Sequence, residues 1–176
     1  AAQPVAEAIG GHVAALVFGG PGISGAVAGL AHHGADVVLV AEDEQLAGYA
    51  TDAYAATLVG AIQRERPYAV LLASTPNGRD LAARVAGRLQ LGLTGDAIGL
   101  EVDHEGRLVQ LKPAFGGNVV APILSKTLPN MATVRPGVLE ALAPNPEREI
   151  AVRQLDAAPA VERVRRIEGR AVDGAD

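Results

Sequence analysis

Three apolar runs of strand length, residues 12–18 (HVAALVF), 36–41 (DVVLVA) and 68–73 (YAVLLA), alternate with stretches of helical pattern. A strand that is apolar at every position must be covered on both faces. Helices of ten to fifteen residues between such strands supply that cover through crossovers, which makes the sheet parallel and doubly wound. The intervening pattern fits. Residues 2–10 read as a helix closed by Gly10 and Gly11, and the turn GGPG at 19–22 precedes a helical stretch over 23–33 capped by Gly34. Thr51 can cap a helix running to about Arg66, where Pro67 stops it. Thr75 or Asn77 then opens the helix GRDLAARVAGRL.

From residue 96 the pattern changes. AIGLEVDHEGRLVQLKP alternates on both sides of an acidic turn and reads as an antiparallel hairpin. NVVAPILS, MATVRP, EREIAVRQLD and VERVRRIEG continue as short strands separated by Gly and Pro. The fold class expected is therefore α/β, a doubly wound mostly parallel sheet with antiparallel β additions in the carboxyl half. One domain over 1–170 is expected, with a frayed tail over 171–176.

Charge and cysteine content remove several function classes. The formal net charge is −5 and the five aromatics are scattered, so the chain has neither a phosphate-binding footprint nor a base-stacking platform, and nucleic acid is not an expected partner. The absence of cysteine excludes disulfides, thiolate metal sites and a cysteine nucleophile, and is compatible with a reducing cytoplasm. No apolar run approaches the ~20 residues of a membrane span, so no membrane insertion is expected.

The segment Gly20-Pro-Gly22-Ile-Ser-Gly25 satisfies G-x-G-x-x-G after a strand, with Glu42 and Asp43 at the end of the next strand. In a dinucleotide site such a loop brings backbone N–H groups to a pyrophosphate while the acidic residue receives ribose hydroxyls. A plain glycine-rich strand-to-helix turn is the preferred reading, because a helix rather than a strand precedes this unit and no second mononucleotide half follows. Other motifs fail outright. Both lysines, Lys112 and Lys126, lie far beyond any glycine-rich loop that a Walker motif would need, and Gly22-Ile-Ser24-Gly25-Ala26 breaks the nucleophile-elbow pattern at its last place. His32 and His33 are neighbours on one segment and cannot chelate together, so no metal site is expected.

Two loops stand out. Ser74-Thr-Pro-Asn77-Gly78-Arg79-Asp80 joins an apolar strand to a helix, where ligand loops of open sheets sit. Asp80 suits the helix amino terminus and Arg79 does not, so Arg79 is read as serving a partner, an anion or an internal carboxylate, Asp80 being the first suspect. Phe115-Gly116-Gly117-Asn118 forms a tight connection between two strands.

Taken in order, VFGG (17–20), VLVAEDE (38–44), ASTPNGRDLAARVAGRL (73–89), GLTGDAIGLEVD (92–103), PAFGGN (113–118) and MATVRPGVLE (131–140) resemble the electron transfer flavoprotein alpha family over nearly the whole chain. The resemblance implies the amino-terminal domain of that subunit, a three-layer arrangement like that of the adenine-nucleotide hydrolases, paired with a similar domain of a beta subunit. It also implies FAD in the complete heterodimer, held by a carboxyl-terminal domain absent from this chain. The electrons of the complete protein come from acyl-CoA or other dehydrogenases. On this chain the resemblance implies no catalytic residue and no cofactor site, but a vestigial nucleotide pocket at Gly19, Gly20, Glu42, Asp43, Ser74, Asn77 and Gly78. It assigns interface or structural roles to Arg79, Asp80, Phe115, Gly116, Gly117, Asn118 and Arg135. A stand-alone nucleotide- or dinucleotide-binding module is the alternative. Family members begin with a strand before the first helix here, so a strand from elsewhere is expected beside HVAALVF, unless that run and YAVLLA pair directly.

Overall fold

Val38 and Val40 are completely buried in the middle of β2 (Val37–Glu42), and only the last residue of that strand reaches the surface. Burying such side chains stabilises the fold by roughly 1.5–3 kcal/mol each, which is why this run anchors the amino-terminal half. In the computed structural model β2 lies between β1 (Ala14–Gly19) and β9 (Ala151–Leu155) and is parallel to both. The structure describes residues 2–27, 29–148, 150–159 and 167–168. The expected strand over VERVRRIEG falls mostly outside them, as does the tail over 171–176.

A second parallel sheet has the order β3-β8-β4, formed by Ala69–Ala73, Asn130–Val134 and Leu93–Ala97. An antiparallel sheet follows, with β5 (Gly99–Val102), β6 (Leu108–Ala114) and β7 (Val119–Leu124) in chain order. The architecture is thus α/β, with parallel and antiparallel parts as expected. Two strands assigned to the carboxyl-terminal extension belong elsewhere. MATVRP supplies β8, the central parallel strand of its sheet, and EREIAVRQLD supplies β9, parallel to β2. Their lengths and composition are those of any short strand. What decides is burial: β8 is buried at four of its five positions and takes ladder bonds from both sides. The segment 93–97, read only as the approach to the hairpin, is β4.

Helices cover the sheets. Besides α1 (Ala2–Ala8), the long helix α3 (Thr51–Glu65) ends where Arg66 adopts a left-handed conformation and its N–H donates to the Ile62 carbonyl at 2.9 Å. In α4 (Pro76–Leu89) Thr75 is the N-cap, its Oγ1 accepting the Gly78 N–H at 3.1 Å, and Pro76 occupies the first turn, where its missing donor costs nothing. The two helices bury Leu58, Ile62, Leu81 and Val85 in one cluster with Met131 of β8, and Leu16, Phe18, Val70 and Leu72 pack against it from below.

The helix expected over 23–33 is broken. A 3-10 turn at Ile23–Ala26 and a single helical turn, α2 (Gly29–His32), replace it. Gly22, Gly25 and Gly29 each weaken a helix by about 1 kcal/mol relative to alanine, and Glu42 takes the amides of the first turn. The strand expected beside HVAALVF has no counterpart among the described residues, and β1 and β3 do not pair with each other either.

Candidate functional site

The carboxyl ends of the parallel strands carry most of the residues singled out above. Gly19 ends β1 and Glu42 ends β2, while Ser74 follows β3 and Arg135 follows β8. At the end of β1 the glycine loop folds over Glu42. The N–H of Gly22 donates to Glu42 Oε1 at 2.7 Å and that of Ser24 to Oε2 at 3.2 Å, and the Ser24 hydroxyl donates to the same Oε2. Gln154 of β9 in turn donates to Ser24 Oγ at 3.1 Å. These donors hold the Glu42 carboxyl below its usual range, the Ser24 hydroxyl acting most strongly, then the Gly22 and Ser24 amides, against a smaller opposing effect of burial.

This geometry bears on the two readings of G-x-G-x-x-G. The amides that would meet a pyrophosphate already hold a carboxylate, and that carboxylate would repel a phosphate placed in the same spot. In this conformation the loop is an internally satisfied turn. Crowding accounts for the first glycines: a Cβ on Gly19 would come within 2.6 Å of Ile23 Cγ1 and one on Gly20 within 2.8 Å of the Ala47 methyl. Asp43 caps the short turn at Glu44–Leu46, accepting the Gln45 N–H at 2.9 Å.

At the second loop Asp80 is held by hydroxyls. Its Oδ2 accepts from Tyr49 and from Thr51, each at 2.6 Å. The Thr51 and Tyr49 bonds keep the Asp80 carboxyl below its ordinary value. Partial burial, reinforced by the Asp80 bond, pushes the Tyr49 phenol up to about 12. Asp80 therefore ties α4 to the start of α3. The side chain of Arg79, exposed beside it, has no hydrogen bond or ion pair among the described residues, so Asp80 is not its partner. Asn77 is exposed as well. Gly78 has a backbone reason to be glycine, since a Cβ there would lie 2.0 Å from the Ala73 carbonyl oxygen. Ser74 donates its N–H to Val134 at 2.7 Å, and its hydroxyl accepts from Thr133 at 3.4 Å.

Arg135 is engaged within the domain. It meets Asp96 with two nitrogens, Nε to Oδ1 at 3.2 Å and Nη2 to Oδ2 at 2.5 Å, and its backbone N–H donates to Ala97 at 2.9 Å. This fork lowers the Asp96 carboxyl and raises the Arg135 guanidinium. Asp96 itself has positive φ, and its N–H donates to Thr133 Oγ1. Asp96 did not stand out in the sequence, since a lone aspartate in LTGDA carries no motif, and nothing there tied Asp80 to Tyr49 and Thr51; Thr51, expected to cap α3, is its first residue, and its hydroxyl goes to Asp80 instead. Among the described residues no group of acidic or histidine side chains is arranged to hold a metal ion. No helix among them is long and apolar enough to cross a membrane.

Phe115, Gly116, Gly117 and Asn118 form the tip joining β6 to β7. Phe115 and both glycines have positive φ, and Asn118 Nδ2 donates to the Phe115 carbonyl at 3.0 Å. The Phe115 ring points outward, 84% exposed, and Val119, Val120, Ile123 and Leu124 of β7 are exposed beside it in sequence.

Comparison with known proteins agrees with this architecture. A family model described as the electron transfer flavoprotein domain matches residues 1–160. The chain is 47% identical over 118 residues to the electron transfer flavoprotein subunit alpha of Clostridium acetobutylicum, a match covering 66% of this chain and 35% of the relative. It is 38% identical over 157 residues to the subunit of the same name from Thermoanaerobacterium thermosaccharolyticum, covering 89% of this chain and 47% of the relative. To Protein FixB of Rhizobium meliloti it is 39% identical over 141 residues, 78% of this chain and 40% of the relative. The chain spans less than half the length of these relatives. It belongs to the electron transfer flavoprotein domain family, on the side of the alpha subunits and resembling their amino-terminal domain.

Proposed function

We propose that this chain is the non-flavin domain of an electron transfer flavoprotein alpha subunit, a scaffold that docks a beta subunit and carries the flavin domain. In the complete heterodimer FAD would accept electrons from acyl-CoA or other dehydrogenases in the cytoplasm, and this domain would contribute position rather than chemistry. The observation that carries the reading is the apolar surface of the β6–β7 hairpin. Val119, Val120 and Leu124 are each between 45% and 49% exposed, and Phe115 stands at the tip. A monomer rarely leaves such residues clustered on one strand unless they meet a partner.

A nucleotide module is the second reading, and Glu42 weighs against it, because its carboxylate takes the amides of the glycine loop. Equilibrium dialysis of the purified chain against FAD, AMP and NAD tests the choice. The scaffold reading expects a colourless protein that retains none of the three. Stoichiometric retention of FAD would overturn it, and micromolar affinity for NAD would promote the dinucleotide reading.

A further inference from the structure

A cleft of about 760 Å³ opens where α3 and α4 end, just before the first residues of β3 and β8. Its volume falls within the roughly 300–1,000 Å³ of small-molecule pockets. The lining is mostly apolar. Ile62, Leu89 and Leu91 contribute to it together with Leu128, which is 69% exposed. The loop that carries Leu128 is fixed to the chain leaving α4, because Gly92 donates its N–H to Thr127 Oγ1 at 2.8 Å and the Ser125 hydroxyl lies 3.1 Å from the same oxygen. Tyr68 also lines the cleft, but its hydroxyl is already engaged with the Gly106 carbonyl and the Leu108 N–H.

The two helices that end here do so in the same uncommon way. Arg66 caps α3 with φ 46° and Gln90 caps α4 with φ 56°, both left-handed. Glycine is the usual residue at such a cap, because a Cβ crowds the following carbonyl, so each side chain is kept at some loss of stability. The caps themselves do not need them. Each is closed by a backbone N–H, that of Arg66 to the Ile62 carbonyl and that of Gln90 to the Ala86 carbonyl. Both side chains are exposed, and neither has a hydrogen bond or ion pair among the described residues. Arg66 and Gln63 line the cleft, and Gln90 stands between Leu89 and Leu91, which line it too. Left-handed residues other than glycine concentrate where a structure clamps a ligand.

We propose that this cleft binds one aliphatic monocarboxylate, its tail on Leu89, Leu91 and Leu128 and its head at Arg66. The lining identifies the class of ligand. An apolar trough beside one guanidinium and two carboxamides suits an anion that carries a hydrocarbon tail. A carboxylate matches the single charge of Arg66 and accepts two parallel N–H bonds from its planar fork, whereas a phosphate monoester brings close to two charges. Gln63 and Gln90 offer further amide donors at the same rim. The site lies at the amino-terminal ends of β3 and β8, and it owes nothing to the flavin reading.

The test is isothermal titration calorimetry of the 176-residue chain with sodium decanoate, kept below the concentration at which it forms micelles. Saturable binding of one decanoate per chain is expected, and no binding of acetate, which has the head without the tail. Arg66→Gly removes the charge and the left-handed side chain together. It should bind decanoate about tenfold more weakly and yet melt no lower than the parent, since glycine adopts this conformation freely. Leu128→Asp, at an exposed position, should weaken binding by about the same factor, which ties the tail to this cleft rather than to other apolar surfaces. Absence of saturable binding, parental affinity in either variant, or an Arg66→Gly protein that melts below the parent overturns the proposal.

Discussion

Glu42 Oε1 accepts the Gly22 N–H at 2.7 Å, and the same carboxylate spans to the amide of Ser24, so a side chain at the end of β2 closes the loop after β1. Its folded pKa is lowered, so the ionised form stabilises the fold fully above the ordinary carboxylate range. That contribution is lost as the pH falls through the lowered value. Glu42→Gln should therefore melt at a lower temperature than the parent at neutral pH, with the gap closing in acid. Paired thermal melts between pH 7 and pH 3 read this. A gap that is constant with pH would show that the ionised carboxylate is not what holds the loop.

Gly78→Ala should destabilise the domain by about 2–4 kcal/mol, because the new methyl meets the Ala73 carbonyl at the first turn of α4 and backbone must move to admit it. Gly87→Ala, further along the same helix, meets nothing within 4 Å and should add about 1 kcal/mol. Urea denaturation of the two variants compares them directly, and equal effects would contradict the crowding argument.

Arg79→Ala should change stability by less than ~0.5 kcal/mol, since the side chain is exposed and without an internal partner among the described residues. Asp80→Ala removes two hydroxyl bonds that link α4 to α3 and should cost about 1–2 kcal/mol. The same denaturation assay separates them. A loss near ~3 kcal/mol for Arg79→Ala would place it in a buried ion pair and remove it from the interface residues.

Arg135→Ala should lower stability by at most ~1 kcal/mol, because the fork with Asp96 is nearly half exposed on the arginine side and screened by water. If Arg135 instead contacts the beta subunit directly, the variant would weaken that association while melting almost as the parent does. Thermal melting alongside an association measurement distinguishes the two roles.

The parallel core was legible from residues 12–73 because each strand there is an unbroken apolar run bounded by its own stop signals, Gly34 before β2 and Pro67 before β3. β8 and β9 were visible as strands, but not their placement. MATV and AVRQL are too short to declare which neighbours they take, and the β5–β7 excursion separates β8 from the sheet it completes. At the candidate site the glycine loop and its acidic partner were legible as a motif. That Glu42 would bond to the loop itself depends on where the end of β2 meets the end of β1, a register no local pattern encodes. The Asp96–Arg135 fork joins residues 39 apart in sequence through β4 and β8 and was hidden for the same reason.

A docking scaffold without flavin of its own is distinguished by sedimentation velocity of the chain mixed with an electron transfer flavoprotein beta subunit, followed at 280 and 450 nm. The chain alone should sediment without absorption at 450 nm. The mixture should form a one-to-one complex, weakened when Phe115 and Val120 are replaced by serine. Two proteins that sediment independently, or flavin absorption travelling with the chain alone, would contradict it.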